Sequence, residues 1–340
     1  MLLTEGSYSA LFAKLGVVRP PGVKGPRGTI DGRPISIGRN GQVVSVGLEP
    51  PLDLGLAIGP QGTLGDVAQA LGGGNDIQVG DSSFDSFFSI AADEASRAKA
   101  LLDAELRRSL VTLLERCDRF AVGDAGAQLW SRSPDEAWLE WALPAAARVA
   151  ALLEAARSRI PVAASLAEPR RAWASLAIEE GLALEDNPLR LRGALGEARV
   201  AAGLTRIDPA RHRFDLVVEL EDALNLDLSI RPSGLLAPVV SLIPGLDREV
   251  GDRAFDAAFV IRSSAPGLLC QVLDERVRSL LLECRTGARD FAVTDRSISL
   301  GGPTGDPASV PRLARAAAEA LGRIRTNLRR SGPSPSGPFR

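Results

Sequence analysis

The chain has few of the side chains on which most active sites depend. Among its 340 residues are one histidine, one methionine, one tyrosine and three cysteines. Structural and catalytic zinc sites draw their ligands mainly from histidine and cysteine, so a zinc centre is not expected. Cys117, Cys270 and Cys284 have no CxxC spacing, and we expect three buried, reduced thiols. The sequence therefore predicts neither a metal nor a cofactor.

Excess positive charge and long apolar runs are also missing. The formal net charge is −2 and the isoelectric point is near 5.7. A general nucleic-acid binder carries a basic surface, so no nucleic-acid partner is expected. No apolar run approaches the ~18 residues of a membrane-spanning helix, and residues 8–12 are too short for a secretory core. These absences predict a cytoplasmic protein without membrane insertion.

What the chain does contain is one module twice. Residues 80–129 align without a gap with residues 251–300, at a constant offset of 171. A duplication predicts two units of similar architecture and lets each residue be tested against its copy. The repeated motif residues are Gly80, Asp81, Phe84, Asp85 and Phe88 in the first copy, and Gly251, Asp252, Phe255, Asp256 and Phe259 in the second.

The repeat extends upstream, because residues 44–60 match residues 216–232 at an offset of 172. We therefore predict a first unit at 27–160 and a second at 190–328. An N-terminal extension (1–26) precedes them, a helical connector (161–189) separates them, and a disordered tail (329–340) follows. Residues 59–79 are expected to be an insertion that the second unit lacks.

Hydrophobic periodicity predicts the order β-β-β-β-α-β-β-α in each unit. In the first unit we expect strands at 35–37, 43–48, 52–58 and 84–91, a helix at 95–116, a hairpin at 120–130 and a helix from Pro134 that Pro144 kinks or splits. Short links between strands favour antiparallel pairing with helices on one face. The predicted class is α+β, a tandem duplication with a pseudo-two-fold relation.

One catalytic hypothesis arises from Gly80-Asp81-Ser82, which resembles the GDS box of SGNH-type serine hydrolases. Gly73-Gly74-Asn75-Asp76 resembles the GxND box of that family, in which asparagine stabilises an oxyanion. The resemblance implies Ser82 as nucleophile, with Asp81 or Asp85 assisting. His212, four residues after Asp208, is where a base would be sought.

The chain departs from that family in three ways. The GxND box precedes the GDS box instead of following it, and the aspartate-to-histidine spacing is four residues instead of three. The second copy keeps Gly251-Asp252 but has Arg253 in place of Ser82. What both copies retain is GD-x-x-FD, which favours a Gly-Asp turn over a nucleophile.

The repeated carboxylates are predicted to be structural. Asp85 and Asp256 suit a turn cap or an ion pair with Arg107 or Arg278, a matched pair themselves. The arginines of the last predicted helix suit a solvated face more than an anion site. They are Arg312, Arg315, Arg323, Arg325, Arg329 and Arg330.

The string Phe84-Asp85-x-x-Phe88-x-Ile90, followed by an acidic spacer and a leucine-rich helix, resembles a module in uncharacterised bacterial proteins of unknown function. The resemblance covers about 50 residues in each unit and implies no activity.

The leading hypothesis is a non-catalytic cytoplasmic binding or scaffold protein with a protein partner. One alternative is the serine hydrolase centred on Ser82, and another is a sensor of a small ligand or anion that binds between the units.

Overall fold

The computed structural model describes residues 5–19, 25–62, 76–208, 211–233, 249–303 and 306–331. The chain forms two compact units. Unit 1 comprises Met1–Ala164 with Asp186–Pro188, and unit 2 comprises Ser165–Glu185 with Leu189–Arg340. The N-terminal extension thus belongs to unit 1, and most of the predicted connector belongs to unit 2. The predicted disordered tail lies, from residue 332, outside the described residues.

Unit 1 contains an antiparallel seven-stranded sheet in the order β1-β2-β3-β7-β6-β4-β5. Its strands are β1 (Arg27–Ile30), β2 (Arg33–Gly38), β3 (Val43–Gly47), β4 (Ala57–Pro60), β5 (Phe88–Ala91), β6 (Arg119–Gly123) and β7 (Gly126–Trp130). Its helices are α1 (Glu5–Lys14), α2 (Ser82–Phe87), α3 (Ala95–Leu101), α4 (Ala104–Arg116) and α5 (Glu136–Ala156).

Unit 2 contains an antiparallel eight-stranded sheet in the order β13-β12-β14-β15-β11-β10-β9-β8. Its strands are β8 (Ala183–Asp186), β9 (Leu189–Leu195), β10 (Ala198–Asp208), β11 (Arg211–Leu220), β12 (Ser229–Pro232), β13 (Phe259–Arg262), β14 (Asp290–Thr294) and β15 (Ser297–Pro303). Its helices are α6 (Ala167–Glu180), α7 (Arg253–Ala258), α8 (Leu269–Val272), α9 (Glu275–Gly287) and α10 (Val310–Ser331).

Apart from β8, which extends the sheet of unit 2, the two sheets have the same strand order and the same pairing register. Ile35 pairs with Val46 in unit 1, and their equivalents Val200 and Val218 pair in unit 2. Phe120 likewise pairs with Leu129, as Phe291 does with Leu300. Because a slip of one residue would turn every side chain to the other face, this agreement shows that the duplication preserves the side-chain pattern of the whole sheet. The fold is α+β, as predicted.

Helices cover one face of each sheet. In β11, Phe214, Leu216, Val218 and Leu220 are buried, whereas the residues between them are exposed. Helix α10 packs against β10, β11 and β15, and α5 packs against β3 and β7 in unit 1. Burying a side chain the size of leucine contributes about 1.5–3 kcal/mol, so the covered face supplies most of the stability of each unit. The opposite face is called the open face below.

Each unit begins with a helix that the sequence reading placed outside the repeat. Helices α1 and α6 are both followed by a left-handed glycine, Gly16 and Gly181, each with φ of 67°. The buried Tyr8 of α1 stands at the same offset from Gly16 as the buried Trp173 of α6 stands from Gly181. The repeated unit therefore starts with a capped helix, not with its first strand.

The leucine-rich segments 52–56 and 224–228 are not strands, contrary to the prediction. Their leucines are buried, but the residues between them are left-handed, with φ of 62° at Asp53 and 58° at Asn225. Strand structure begins only at Ala57 and Ser229. Every second residue of these segments is buried because the backbone conformation alternates from one residue to the next. The same alternation directs successive backbone N–H groups towards one point.

A carboxylate occupies that point in each unit. Asp124 Oδ1 and Oδ2 accept hydrogen bonds from the backbone N–H groups of Leu54 (3.0 Å), Gly55 (2.8 Å) and Leu56 (3.3 Å). In unit 2, Asp295 accepts from Leu226 (3.2 Å), Asp227 (2.8 Å) and Leu228 (2.8 Å). Since both aspartates lie in the turn of a hairpin, the carboxylate attaches the leucine segment to the sheet.

The predicted strands 84–91 and 255–262 begin as helices. Asp81 and Asp252 are the N-caps of α2 and α7, and strand structure starts only at Phe88 and Phe259. The phenylalanines predicted to alternate along a strand instead lie one helical turn apart, and the rings of Phe84 and Phe88 stack with their centroids 4.3 Å apart. The cap side chain satisfies otherwise orphaned amides and so favours the helix.

The predicted helix 95–116 is two helices. Leu102 has φ −82° and ψ 64°, and Asp103 restarts the chain as the N-cap of α4. Unit 2 breaks in the same place, at Leu273 and Asp274. A cap in mid-segment allows the two apolar faces to follow different directions. By contrast, α5 continues through Pro144 without being split.

The prediction that residues 59–79 are an insertion, absent from the second unit, is wrong. The segment between Pro60 and Ser82 has 21 residues, and that between Pro232 and Arg253 has 20. Residues 63–75 and 234–248 lie outside the described residues. The two copies therefore carry segments of similar length between β4 or β12 and the following helix.

Replacing Asp295 by alanine is expected to lower the free energy of unfolding by about 2–4 kcal/mol, because three backbone N–H groups lose a charged acceptor. Urea denaturation of the wild type and the variant measures this difference in the free energy of unfolding. The control is Asp222→Ala, whose side chain is 77% exposed and forms one ion pair with Arg325, and which should cost under about 1 kcal/mol. Equal losses in the two variants would contradict the role of Asp295.

Asp103→Asn is expected to make stability less dependent on pH. The hydrogen bond from Leu106 N–H, together with Arg159, holds the pKa of Asp103 below its usual range. Stability from this ionised carboxylate is present above the unfolded-state pKa of about 3.9 and is lost as pH falls through the folded-state pKa.

The difference in unfolding free energy between wild type and Asp103→Asn should therefore shrink between about pH 7 and about pH 3. Glu115→Gln, at an exposed position on the same helix, is the control. A difference for Asp103→Asn that stays constant over this range would contradict the assignment.

Candidate functional site

Ser82 is the exposed first residue of α2, and its two neighbouring carboxylates are occupied. Asp81 Oδ1 accepts from Phe84 N–H at 3.2 Å, and Asp81 Oδ2 lies 3.7 Å from Arg107 Nη1. Asp85 accepts from Val79 N–H at 2.9 Å and from Gly80 N–H at 3.0 Å. Both carboxylates thus hold the backbone of the Gly-Asp turn.

Unit 2 has the same contacts without a serine. Asp252 accepts from Phe255 N–H at 3.2 Å and lies 3.0 Å from Arg278 Nε, and Asp256 accepts from Val250 N–H at 3.0 Å. The matched arginines therefore pair with Asp81 and Asp252, not with Asp85 and Asp256. Since Arg253 stands where Ser82 does, the geometry of GD-x-x-FD does not depend on a nucleophile.

The other members of the hypothetical hydrolase site have different surroundings. His212 is buried in β11 of unit 2, whereas Ser82 belongs to unit 1. Asp208 Oδ2 accepts from Arg211 Nε at 2.6 Å. In the GxND box, Asp76 Oδ1 accepts from Ile90 N–H at 2.7 Å, and Gly73, Gly74 and Asn75 lie outside the described residues.

The cysteines differ from one another, and the expectation of three buried thiols is wrong for Cys270 and only partly right for Cys117. Cys284 is buried, Cys117 is half-buried and Cys270 is exposed. Burial raises the pKa of Cys117 and of Cys284 to about 12. Within the part of the chain that the structure describes, no group of three or more histidine, cysteine, aspartate or glutamate side chains could hold a metal ion.

The arginines of α10 are mostly engaged in ion pairs. Arg315 contacts Glu179 and Glu180, and Arg323 Nη2 lies 3.0 Å from Asp274 Oδ2. The remaining pairs are Arg312 with Glu283, Arg325 with Glu197 and Asp222, and Arg329 with Glu197. Carboxylates already hold these arginines, so the helix presents an ion-paired face.

A different group of arginines borders a cavity of about 710 Å³ on the open face of unit 2. The cavity lies over β11, β15, β14 and β12, and the sequence reading did not single it out. Its charged residues are Arg213, Arg231, Arg285, Arg289, Asp215 and Asp290. Because four positive charges face two negative ones, the cavity has a positive surplus that favours anions.

The floor of the cavity is made of small and apolar residues. The floor residues lie on adjacent strands of the open face and are Val217, Ala292, Ser299 and Gly301. A Cβ atom at Gly301 would lie 3.2 Å from Asp215 Oδ1 and 3.3 Å from Arg213 Nη2. These contacts are tight, so the side chains of Arg213 and Asp215 lie directly over Gly301 and a larger residue there would have to displace them.

The equivalent place in unit 1 is built differently. Trp130 stands where unit 2 has Gly301, and the guanidinium of Arg119 lies 5.4 Å from the centre of the Trp130 ring. Val43 stands where unit 2 has Asp215. The two copies thus share their covered faces but differ at this part of their open faces.

Comparisons with known proteins do not identify a family. No protein-family model matches the chain. No curated protein matches it significantly. Among solved structures, the crystal structure of the mycobacterial trehalose monomycolate transport factor A, TtfA, aligns over 50% of this chain and 99% of its own, with 12% identity and a TM-score of 0.31. A similarity at that level supports no conclusion about fold or function.

In the described segments, none of the helices has both the length and the apolar character needed to cross a membrane.

Ellman's reagent is expected to modify one thiol per native chain at about pH 8, because only Cys270 is exposed and the other two thiols stay protonated. All three should react once urea unfolds the chain. Mass spectrometry of alkylated peptides identifies the modified residue. Rapid modification of Cys284 in the folded protein would contradict this expectation.

Proposed function

We propose that the chain is a non-catalytic binding protein. The observation that carries this proposal is that the carboxylates of GD-x-x-FD bind backbone amides in both units, with or without a serine beside them. General acid–base and nucleophilic catalysis need a carboxylate or imidazole free to exchange protons with the reacting group. Asp81 and Asp85 serve the fold instead.

The surface that best suits a binding role is the open face of unit 2. Its strands expose Ala201, Val217 and Arg231, and Val217 is 38% exposed. An antiparallel sheet that packs helices on one face commonly leaves the other to solvent, so this face offers a broad surface that the core does not need. We further propose, in line with the sequence, a cytoplasmic location and a protein partner.

The first experiment tests the absence of catalysis. The purified chain is expected to hydrolyse p-nitrophenyl acetate and butyrate no faster than a protein control does, and Ser82→Ala should change nothing. Ser83→Ala, the exposed neighbour in α2, is the matched variant. Turnover that disappears in Ser82→Ala and persists in Ser83→Ala would establish the alternative serine hydrolase.

A second experiment tests the surface. Cross-linking and mass spectrometry of the tagged full chain in its native cells should yield a reproducible partner with cross-links to unit 2. Val217→Glu should abolish its capture, because a charge interrupts the exposed strand face. Ile178→Glu, at an 83% exposed position on α6, should leave capture unchanged. Capture that survives Val217→Glu would exclude this face, and the absence of any partner would contradict the proposed protein partner.

A further inference from the structure

The cavity on the open face of unit 2 arose where the two copies diverge. Its four arginines replace residues of other chemistry in unit 1, whereas the covered faces of the sheets retain matching apolar residues. By the offsets of the repeat, Arg213, Arg231, Arg285 and Arg289 correspond to Gly41, Gly59, Leu114 and Asp118. The positive rim is therefore a property of the second copy alone.

Two of these arginines are already held by the protein. Arg213 lies 3.2 Å from Asp215 Oδ1 through Nε and 2.9 Å from Asp290 Oδ2 through Nη2, so it is fixed between two carboxylates. Arg285 Nη1 donates to the Ala288 carbonyl at 3.1 Å. These contacts orient the two guanidinium groups and limit the entropy that a ligand contact with them would cost.

The other two arginines have no ion-pair partner among the described residues. Arg231 is in β12 and Arg289 directly precedes β14, and both side chains are exposed at the rim. Because the two aspartates of the cavity already contact Arg213, the uncompensated positive charges are those of Arg231, Arg285 and Arg289, and of these Arg231 and Arg289 are exposed. A guanidinium group binds carboxylate and phosphate through paired hydrogen bonds, which selects oxyanions over halide ions.

The floor adds a second requirement. Val217 and Ala292 give an apolar surface without long side chains, and the volume of about 710 Å³ is larger than an inorganic ion needs. Ligand cavities of this size commonly take organic molecules that rest on an apolar surface and are oriented by a few polar groups.

We propose that this cavity binds an organic anion whose carboxylate or phosphate group contacts Arg231 and Arg289 and whose apolar body rests on Val217 and Ala292. The proposal rests on the proposed function in that it takes the chain to be a binding protein, and it names the ligand class. In the first copy, Trp130 stands at the position of Gly301, and the guanidinium of Arg119 lies 5.4 Å from the centre of its ring.

The test uses the full chain and two fluorescent probes. Anilinonaphthalene sulfonate carries an oxyanion on an aromatic body, and phenylnaphthylamine is the same body without the anion. The sulfonate is expected to bind at least about tenfold more tightly, and added salt should reduce that advantage. Equal affinity for the two probes would overturn the proposal.

Variants then locate the site. Arg231→Gln and Arg289→Gln should each weaken sulfonate binding about tenfold and leave the neutral probe unaffected. Arg312→Gln, which removes an ion pair outside the cavity, is the control. Gly301→Trp, which copies unit 1, should abolish binding of both probes, with a thermal melt to check folding. Unchanged sulfonate binding in the two arginine variants overturns the proposal even if Gly301→Trp fails to fold.

Competition distinguishes the source of the anion. Octyl phosphate is expected to displace the sulfonate probe at much lower concentration than inorganic phosphate, because only the former uses the apolar floor. Equal potency would overturn the role of the floor. If neither probe binds as expected, the anion site is wrong, while the proposed binding function is still tested by the ester and cross-linking experiments. Conversely, hydrolysis of p-nitrophenyl esters would overturn the proposed function without affecting the anion site.

Discussion

Each unit depends on one carboxylate in the turn of a hairpin. Asp124 and Asp295 each accept hydrogen bonds from three consecutive backbone N–H groups, in segments whose leucines are buried in the core. A segment with alternating left-handed residues cannot satisfy those groups within a strand, and burying them unpaired would cost about 1–3 kcal/mol apiece. The carboxylate removes that cost, and the segment then leads into β4 or β12 at the correct register.

Comparison of the two units distinguishes the residues that the fold requires, which recur, from those that it allows to vary. Covered faces, caps and turn carboxylates recur in both units with the same pairings and similar distances. Several side chains on the open faces differ between the units: Trp130 and Arg119 stand in unit 1 where unit 2 has Gly301 and Asp290. A position that packs against no helix can change without loss of core contacts.

Much of the fold could be predicted from the sequence, because buried apolar residues recur at a regular spacing along strands and helices. The apolar alternation of β3, β6 and β11 correctly predicted strands and hairpins, and a capping motif predicted the helix α5. The predicted helix start at Pro134 was wrong by two residues, because Asp135 is the N-cap. Segments 52–56 and 84–87 were wrongly predicted as strands, since buried leucines spaced by two and phenylalanines spaced by four also satisfy left-handed turns and a capped helix. The first helix of each unit was missed as part of the repeat because its two copies share few residues.

By itself, the sequence determined the duplication, the α+β class and the absence of a metal-binding composition, because these depend on residue types and their spacing along one chain. Only the tertiary structure decided what the repeated aspartates do and where the unpaired arginines meet. A carboxylate with the same neighbours in sequence can cap a helix, pair with an arginine or bind three amides, and the choice depends on backbone segments some 70 residues away. Arg231 and Arg289 come together because antiparallel pairing places β12 beside β14, and that proximity has no signature in the spacing of the residues.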